Sequence, residues 1–505
     1  MQDTVLNDYI KKILQARVYE VAKKTPLDYA SMLSRDLNNH IWIKREDMQP
    51  VFSFKIRGAY NKISNLPKHT KGVIAASAGN HAQGVALSAS QLKIPAMIIM
   101  PKTTPEIKVT SVRHRGAQVI LHGTTYDDAS KYAMQLVAQH DMIYVHPYDD
   151  IEVIAGQGTV GMEILQQHTD DLEAIFVPVG GGGFIAGIAA YVKYLRPEIK
   201  VIGVEPEDAA CMCAALKARE RVKLSQVGIF ADGVAVRQVG KLPFEIACDY
   251  VDEVLLVSTD EICAAIKDIF DETRTIMEPA GALALAGLKQ YIEREQCRQR
   301  HLVTIASGAN MNFDRLGYVT ERTEIGNQRE ALMAVTIPEH PGSFRAFCHA
   351  IGQHVITEFN YRYADKSQAH VFVGIRLNEG FSEKNKLIHR LRQQDYPVID
   401  LTDNEMAKSH LRHLVGGHAS ISDERLYRFE FPERPGALLH FLTRLEQRWN
   451  ISLFHYRNHG AAYGKVLMGI QVHDSDEHDF KNFLDKLGYP YWEESTNPTY
   501  QLFLK

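Results

Sequence analysis

The chain has 505 residues, which at about 150 residues per domain predicts three or four domains. Apolar residues make up 45% and charged residues 23%, the balance of a globular protein, which excludes a disordered or coiled-coil chain. The 57 Lys+Arg against 61 Asp+Glu leave a net charge of −4, with no basic excess to hold a nucleic-acid backbone.

The N-terminal residues, Met1 to Lys12, lack the basic start and apolar run of a signal peptide. Six cysteines in so long a chain, with no C-x-x-C pair, form no disulfide framework. Both features predict a protein with reduced thiols in the cytoplasm.

Ser53-Phe54-Lys55-Ile56-Arg57-Gly58-Ala59 then places a lysine between apolar residues at a predicted helix start. A lysine in apolar surroundings has a depressed pKa and can form a Schiff base with a carbonyl. Most isolated lysines simply snorkel to solvent. The run Val73–Ala76 reads as a buried strand, and Ser77-Ala78-Gly79-Asn80-His81 after it opens a helix. A hydroxyl, a glycine backbone and an amide at a helix N-terminus suit a small carboxylate or a ring oxygen, although Ser and Asn are also ordinary cap residues. Further strands are predicted at Ala96–Met100, Met142–Val145, Ala174–Val179, Val201–Val204 and Leu302–Ile305, with helices at Tyr126–His140 and Asp260–Glu272. Strands without charge, alternating with helices, predict a mostly parallel sheet covered on both faces, and 300 residues hold two such sheets.

Ala174 to Val192 is 19 residues without a charge, but Pro178 and the glycines Gly180, Gly181, Gly182 and Gly183 interrupt it. It predicts a buried strand and a buried helix, not a membrane span. A glycine run between strand and helix suits a phosphate, because its backbone N–H groups close on an anion at the positive end of the helix. Neither a Walker loop nor G-x-G-x-x-G fits the spacing. Glu278-Pro279-Ala280-Gly281 reads as a proline-initiated helix start. Ser307-Gly308-Ala309-Asn310 follows the strand Leu302–Ile305, where open α/β sheets bind ligands.

After residue 325 an internal repeat appears. Val335 to Phe344 parallels Phe429 to Leu438, Ile356 to Arg362 parallels Ile451 to Arg457, and Val371 to Ile375 parallels Val466 to Ile470. The shared order of strand, Pro-Gly turn, helix, strand, strand predicts two copies of a small α+β unit. Gly416 to Glu424 reads as the linker. His410, His413 and His418 before and within it lack a completing carboxylate or cysteine, so they are read as solvated surface and no metal is expected.

Taken together, Ser53–Ala59, Ser77–His81, Gly180–Gly183 and Ser307–Asn310 resemble the pyridoxal-phosphate enzymes of fold type II, the tryptophan-synthase-β-like fold, and within it the serine/threonine dehydratases. The C-terminal copies resemble tandem ACT-like regulatory domains. The resemblance covers essentially the whole chain. It implies an α/β catalytic domain with two parallel-type sheets over residues 1–322 and ACT-like α+β units at 330–412 and 425–505. The implied reaction is deamination of L-threonine to 2-oxobutanoate and ammonia, with L-serine a secondary substrate. It also implies feedback inhibition by isoleucine with valine as antagonist, a homotetramer, and neither nucleic-acid nor membrane partners.

The resemblance makes Lys55 the Schiff-base lysine and the acid/base at Cα. Gly180, Gly181, Gly182 and Gly183 would hold the cofactor phosphate, Asn80 would bond the ring hydroxyl, and Phe54 would pack on the ring. Ser77 and Gly79 would grip the substrate carboxylate, with Asn80 and His81 beside them, and Ser307 would face the pyridine nitrogen. A hydroxyl there cannot hold that nitrogen protonated as a carboxylate would, which weakens the electron sink and favours β-elimination over transamination. Racemases of this family resemble S-S-G-N-H, with a second serine as acid/base, where this chain has Ala78. Tyr361, Tyr456, Leu438 and Leu442 are the effector-contact candidates. The rival readings are a serine-preferring dehydratase, a β-replacement synthase of the same fold, and an amino-acid sensor without chemistry.

Overall fold

The structure, a computed structural model, describes residues 2–169, 171–338, 343–352, 354, 356–361, 368–413, 423–432, 449, 451–457 and 463–504. It divides into two units, Met1–Asn312 and Phe313–Lys505.

In the first unit the strands are β1 (Leu27–Tyr29), β2 (His40–Arg45), β3 (Val73–Ala76), β4 (Ala96–Met100), β5 (Gln118–Leu121), β6 (Ile143–Tyr144), β7 (Leu172–Pro178), β8 (Lys200–Pro206), β9 (Glu253–Val257) and β10 (His301–Ala306). They make two sheets, β1-β2-β10-β7-β8-β9 and β5-β4-β3-β6. Neighbours run parallel except β1, which pairs antiparallel with β2. The two parallel-type sheets expected from the uncharged runs are both present. Strand β6 is shorter than the run Met142–Val145 because only Ile143 and Tyr144 pair with β3.

The predicted helices start where their caps lie. Tyr126–His140 opens with a reciprocal cap between Thr125 and Asp128, and Thr259–Thr273 with one between Ser258 and Glu261. The uncharged stretch 174–192 resolves into β7, the glycine run and the buried helix Gly183–Leu195. Among the described residues no helix is long and apolar enough to cross a membrane.

Two devices fix the helix Lys55–Ser64. First, it packs at backbone distance: a Cβ on Gly58 would lie 2.8 Å from the Val153 carbonyl of the helix Ile151–Gln167. Second, Arg57 is gripped inside the protein. Its guanidinium donates to Glu46 at 2.7 and 2.8 Å, to Glu163 at 2.6 and 2.9 Å, to Thr159 Oγ1 at 3.1 Å and to the Lys23 carbonyl at 3.1 Å. Glu163 also accepts from Lys44 Nζ at 2.6 Å and from Tyr19 at 2.8 Å. The four charged side chains, Lys44, Glu46, Arg57 and Glu163, are fully buried and neutralise one another.

In the second unit β11 (Glu330–Pro338), β12 (Ile356–Tyr361), β13 (Gln368–Arg376) and β14 (Val398–Asp400) form an antiparallel sheet in the order β12-β13-β11-β14. β15 (Glu424–Pro432), β16 (Ile451–Arg457), β17 (Tyr463–Gln471) and β18 (Tyr491–Glu493) repeat it as β16-β17-β15-β18. The register repeats as well, since each copy has an irregularity at the start of its second strand, at Ile356/Glu358 and at Ile451/Leu453. Tyr361 and Tyr456 hold equivalent places, opposite Val371 and Val466. The sheets share one apolar core that includes Leu332, Phe372, Leu426 and Leu467. Leu438 and Leu442 lie outside the described residues.

His410, expected on a solvated surface, is instead fully buried beside the helix Glu405–Ser409, because its neighbours Met406, Ala407 and Leu411 join the core shared by both copies. His418 lies outside the described residues. Among the described residues no group of His, Cys, Asp and Glu is placed to hold a metal.

Candidate active site

Three of the chemistry-bearing segments of the first unit follow carboxyl ends of parallel strands. Ser77 follows β3, Gly180 follows β7, and Ser307 follows β10, which pairs directly with β7. Lys55 reaches the same place from the start of its helix: Ser53 bridges Gly308, and the Phe54 amide donates to the Ser307 carbonyl at 3.3 Å.

Lys55 Nζ donates to the Pro147 carbonyl at 3.1 Å and sits 5.2 Å from the centre of the Phe54 ring. Burial pulls its pKa down to about 8, against the opposing field of Glu278. Phe54 stacks on Phe184, with ring centres 3.8 Å apart and planes 11° from parallel. Phe184 begins the helix behind the glycine run, so this stack joins the lysine segment to the glycine loop.

The glycine loop admits no side chains. A Cβ on Gly181 would lie 2.2 Å from the Tyr148 ring, and one on Gly183 would lie 2.6 Å from the Tyr148 carbonyl. Gly182 adopts φ +91°, a left-handed conformation that costs a side-chain-bearing residue free energy. The loop ends at the N-terminus of the helix Gly183–Leu195, where unpaired N–H groups attract an anion.

At the Ser77–His81 turn, the Gly79 amide donates to Ser77 Oγ at 3.2 Å, and a Cβ on Gly79 would meet open space. Asn80 Nδ2 donates to Glu278 Oε1 at 2.5 Å, and Asn310 Nδ2 donates to Asn80 Oδ1 at 2.6 Å. His81 Nε2 donates to the Val145 carbonyl at 2.8 Å, which fixes the tautomer and leaves Nδ1 as a bare acceptor. Burial lowers its pKa to about 3, with further lowering by Lys55, so His81 stays neutral. Ser307 Oγ donates to the Ala280 carbonyl at 3.2 Å, at the start of the helix Pro279–Glu295.

The structure therefore brings Lys55, Asn80, Ser307 and the glycine run to the convergent strand ends. Reading the sequence missed two participants. The Glu278-Pro279 pair marks only a helix start in the sequence, and nothing near it in the chain points to Asn80. Tyr148, which walls the glycine loop, carried no local signal, because its place depends on the loop after β6 folding against the loop after β7.

Residues 18–308 match the family model described as pyridoxal-phosphate dependent enzyme. Residues 321–411 and 415–504 each match the model of the C-terminal regulatory domain of threonine dehydratase. The chain is 53% identical over 504 residues to the L-threonine dehydratase biosynthetic IlvA of Burkholderia multivorans, covering 99% of both chains. It is 51% identical to the protein of the same name in Escherichia coli, covering 98% of this chain and 97% of the relative. Among solved structures it is similar to the processed form of threonine deaminase isoform 2 from Solanum lycopersicum. That likeness has a TM-score of 0.63 and 49% identity, covering 64% of this chain and 89% of that one.

Proposed function

The chain belongs to the pyridoxal-phosphate-dependent enzymes, in the branch that carries the threonine dehydratase regulatory domain, and from this we infer that it deaminates L-threonine to 2-oxobutanoate and ammonia. The observation that carries the reading is similarity along nearly the whole chain, catalytic and regulatory parts alike, to biosynthetic threonine dehydratases.

The residues present fit pyridoxal phosphate. A buried amine of depressed pKa, a glycine loop packed too tightly for any Cβ, and a neutral hydroxyl at the third strand end meet at one place. When bound, the cofactor supplies an aldehyde that captures amines and a ring that withdraws the electron pair left at Cα. Lys55 would hold the cofactor's aldehyde and would take the Cα proton; its low pKa makes it a competent base near neutral pH. Gly180, Gly181, Gly182 and Gly183 bind the phosphate through backbone N–H groups. Asn80 would give its remaining amide proton to the ring oxygen, and Phe54 would pack on the ring. Ser77 and Gly79 hold the substrate carboxylate, with His81 behind them as a neutral acceptor. Ser307 would face the pyridine nitrogen once its hydroxyl turns from the Ala280 carbonyl; a hydroxyl would not hold that nitrogen protonated as a carboxylate does, which would favour β-elimination over transamination. Ala78 has no proton to deliver to the opposite face, which disfavours racemisation.

The remaining parts of the reading extend the family resemblance, and of these the regulatory role is supported by the two regulatory-domain matches. The catalytic part spans residues 1–322 and the regulatory copies 330–412 and 425–505. The copies bind isoleucine as inhibitor and valine as antagonist, with Tyr361, Tyr456, Leu438 and Leu442 at the effector. The enzyme works as a homotetramer in the cytoplasm, with L-serine as a slower substrate.

The test is 2-oxo acid release from L-threonine by the purified chain with pyridoxal phosphate, with and without L-isoleucine, beside Lys55→Ala. Release suppressed by isoleucine and absent in K55A is the expected result. Faster turnover of L-serine than of L-threonine would replace this reading with a serine-preferring dehydratase, and release only with an added thiol would replace it with a synthase.

A further inference from the structure

Glu278 is the motif residue that the mechanism above leaves without a task. It stands at the start of the helix Pro279–Glu295, yet its side chain does not cap that helix. It is 5% exposed, and its carboxylate turns toward the reaction centre. Oε1 accepts from Asn80 Nδ2 at 2.5 Å, and Gly308 stands so close that a Cβ there would lie 2.3 Å from the same oxygen.

The donor count at Asn80 gives the first consequence. Its Oδ1 accepts from Asn310, whose Nδ2 also donates to the Val51 carbonyl at 2.8 Å. Its Nδ2 carries two protons, and Glu278 takes one. The amide can then neither flip nor turn, and its second N–H is left for a ligand oxygen. Charge gives the second consequence. Lys55 touches the Phe54 ring and the Pro147 carbonyl, and the titratable groups whose charge would act on it are Glu278, His81 and His146. Burial lowers the pKa of both histidines, so neither opposes or supports the amine with a charge at neutral pH, and the field of Glu278 supports its protonated form.

We propose that Glu278 is a positioning residue of the reaction: it locks the Asn80 amide with one N–H free for the cofactor, and, across Gly308 from Ser53, it sets its negative charge beside the segment that carries Lys55. The proposal rests on the roles given above to Lys55 and Asn80. Without the carboxylate, less of the Lys55 amine is protonated at neutral pH while the substrate contacts stay in place.

The decisive measurement reads Lys55 itself. The full chain, freed of cofactor, is labelled with an amine acylating reagent at a series of pH values, and Lys55 modification is followed by peptide mass spectrometry. Glutamine at 278 still accepts from Asn80, so E278Q removes charge and keeps shape. Labelling of Lys55 at pH 7 should rise about threefold in E278Q, because less of the amine is protonated, while E278D should follow the wild type. G308A, whose Cβ would push the carboxylate aside, serves as the second variant and should also label faster. Wild-type labelling profiles in both E278Q and G308A would overturn the proposal. Failure of the wild-type chain to release a 2-oxo acid from threonine would instead overturn the function above, and would leave the labelling result standing.

Discussion

At the residue scale, the buried amine of Lys55 has a stability cost as well as a chemical use. Its pKa falls from 10.5 to about 8 in the folded chain. Below pH 8 both folded and unfolded states carry the proton, and the folded state bears the full cost of a desolvated charge. Between pH 8 and 10.5 the unfolded chain holds more protons, so stability rises with pH as the folded amine deprotonates. The cofactor-free Lys55→Met variant should therefore exceed the wild type in stability at pH 7 by about 1–3 kcal/mol. That advantage should fade toward pH 10.5, as read by urea midpoints at the two pH values. An advantage that does not change with pH would mean that packing, not charge, sets it. Lys55, Asn80 and Ser307 were legible in the sequence because each sits in a short motif whose residue types share one chemistry. Glu278 was not, because its partners Asn80 and Gly308 lie far away in the chain and its local context is fully explained by a helix start.

At the scale of elements, the helix that presents Lys55 is held by a neutral cluster of four buried charges. Replacing Glu163 by glutamine leaves Lys44 and Arg57 facing one carboxylate in place of two. Removing one partner of a buried ionic group is expected to cost about 3–5 kcal/mol, and thermal melting of E163Q checks it. A loss below about 1 kcal/mol, the range of exposed pairs, would mean that water reaches the cluster. The same cluster shows why β2 was not anticipated among the strands. Its sequence, His40-Ile41-Trp42-Ile43-Lys44-Arg45, carries two cations, and charge argues against a buried strand unless the partners are known. β9 begins with Glu253 and is partly exposed at a sheet edge, so it too lacks the uncharged signature of β3 and β7.

At the scale of the whole molecule, each unit has an apolar core of its own. Calorimetry of the full chain should resolve two transitions. Isoleucine at about a hundred times its Kd should stabilise the unit that binds it by about 2.7 kcal/mol. A rise confined to the transition of residues 313–505 fits the regulatory reading, whereas a rise in the catalytic transition alone would move the effector site.

What the sequence by itself determined is local or repeated: the parallel strands, the capped helices, the tandem α+β copies, and the order of the motifs. Periodicity, capping and turn chemistry act over a few residues, so they can be read without a fold. Only the tertiary structure decided which of those motifs share a space. It set Glu278 against Asn80 and Lys55, closed Tyr148 over the glycine loop, buried His410 in the core shared by both copies, and neutralised Lys44 and Arg57 with Glu46 and Glu163. The reason is physical. A buried charge or a backbone-to-backbone approach is tolerable only with its partner in place, and those partners come from segments that no local pattern connects.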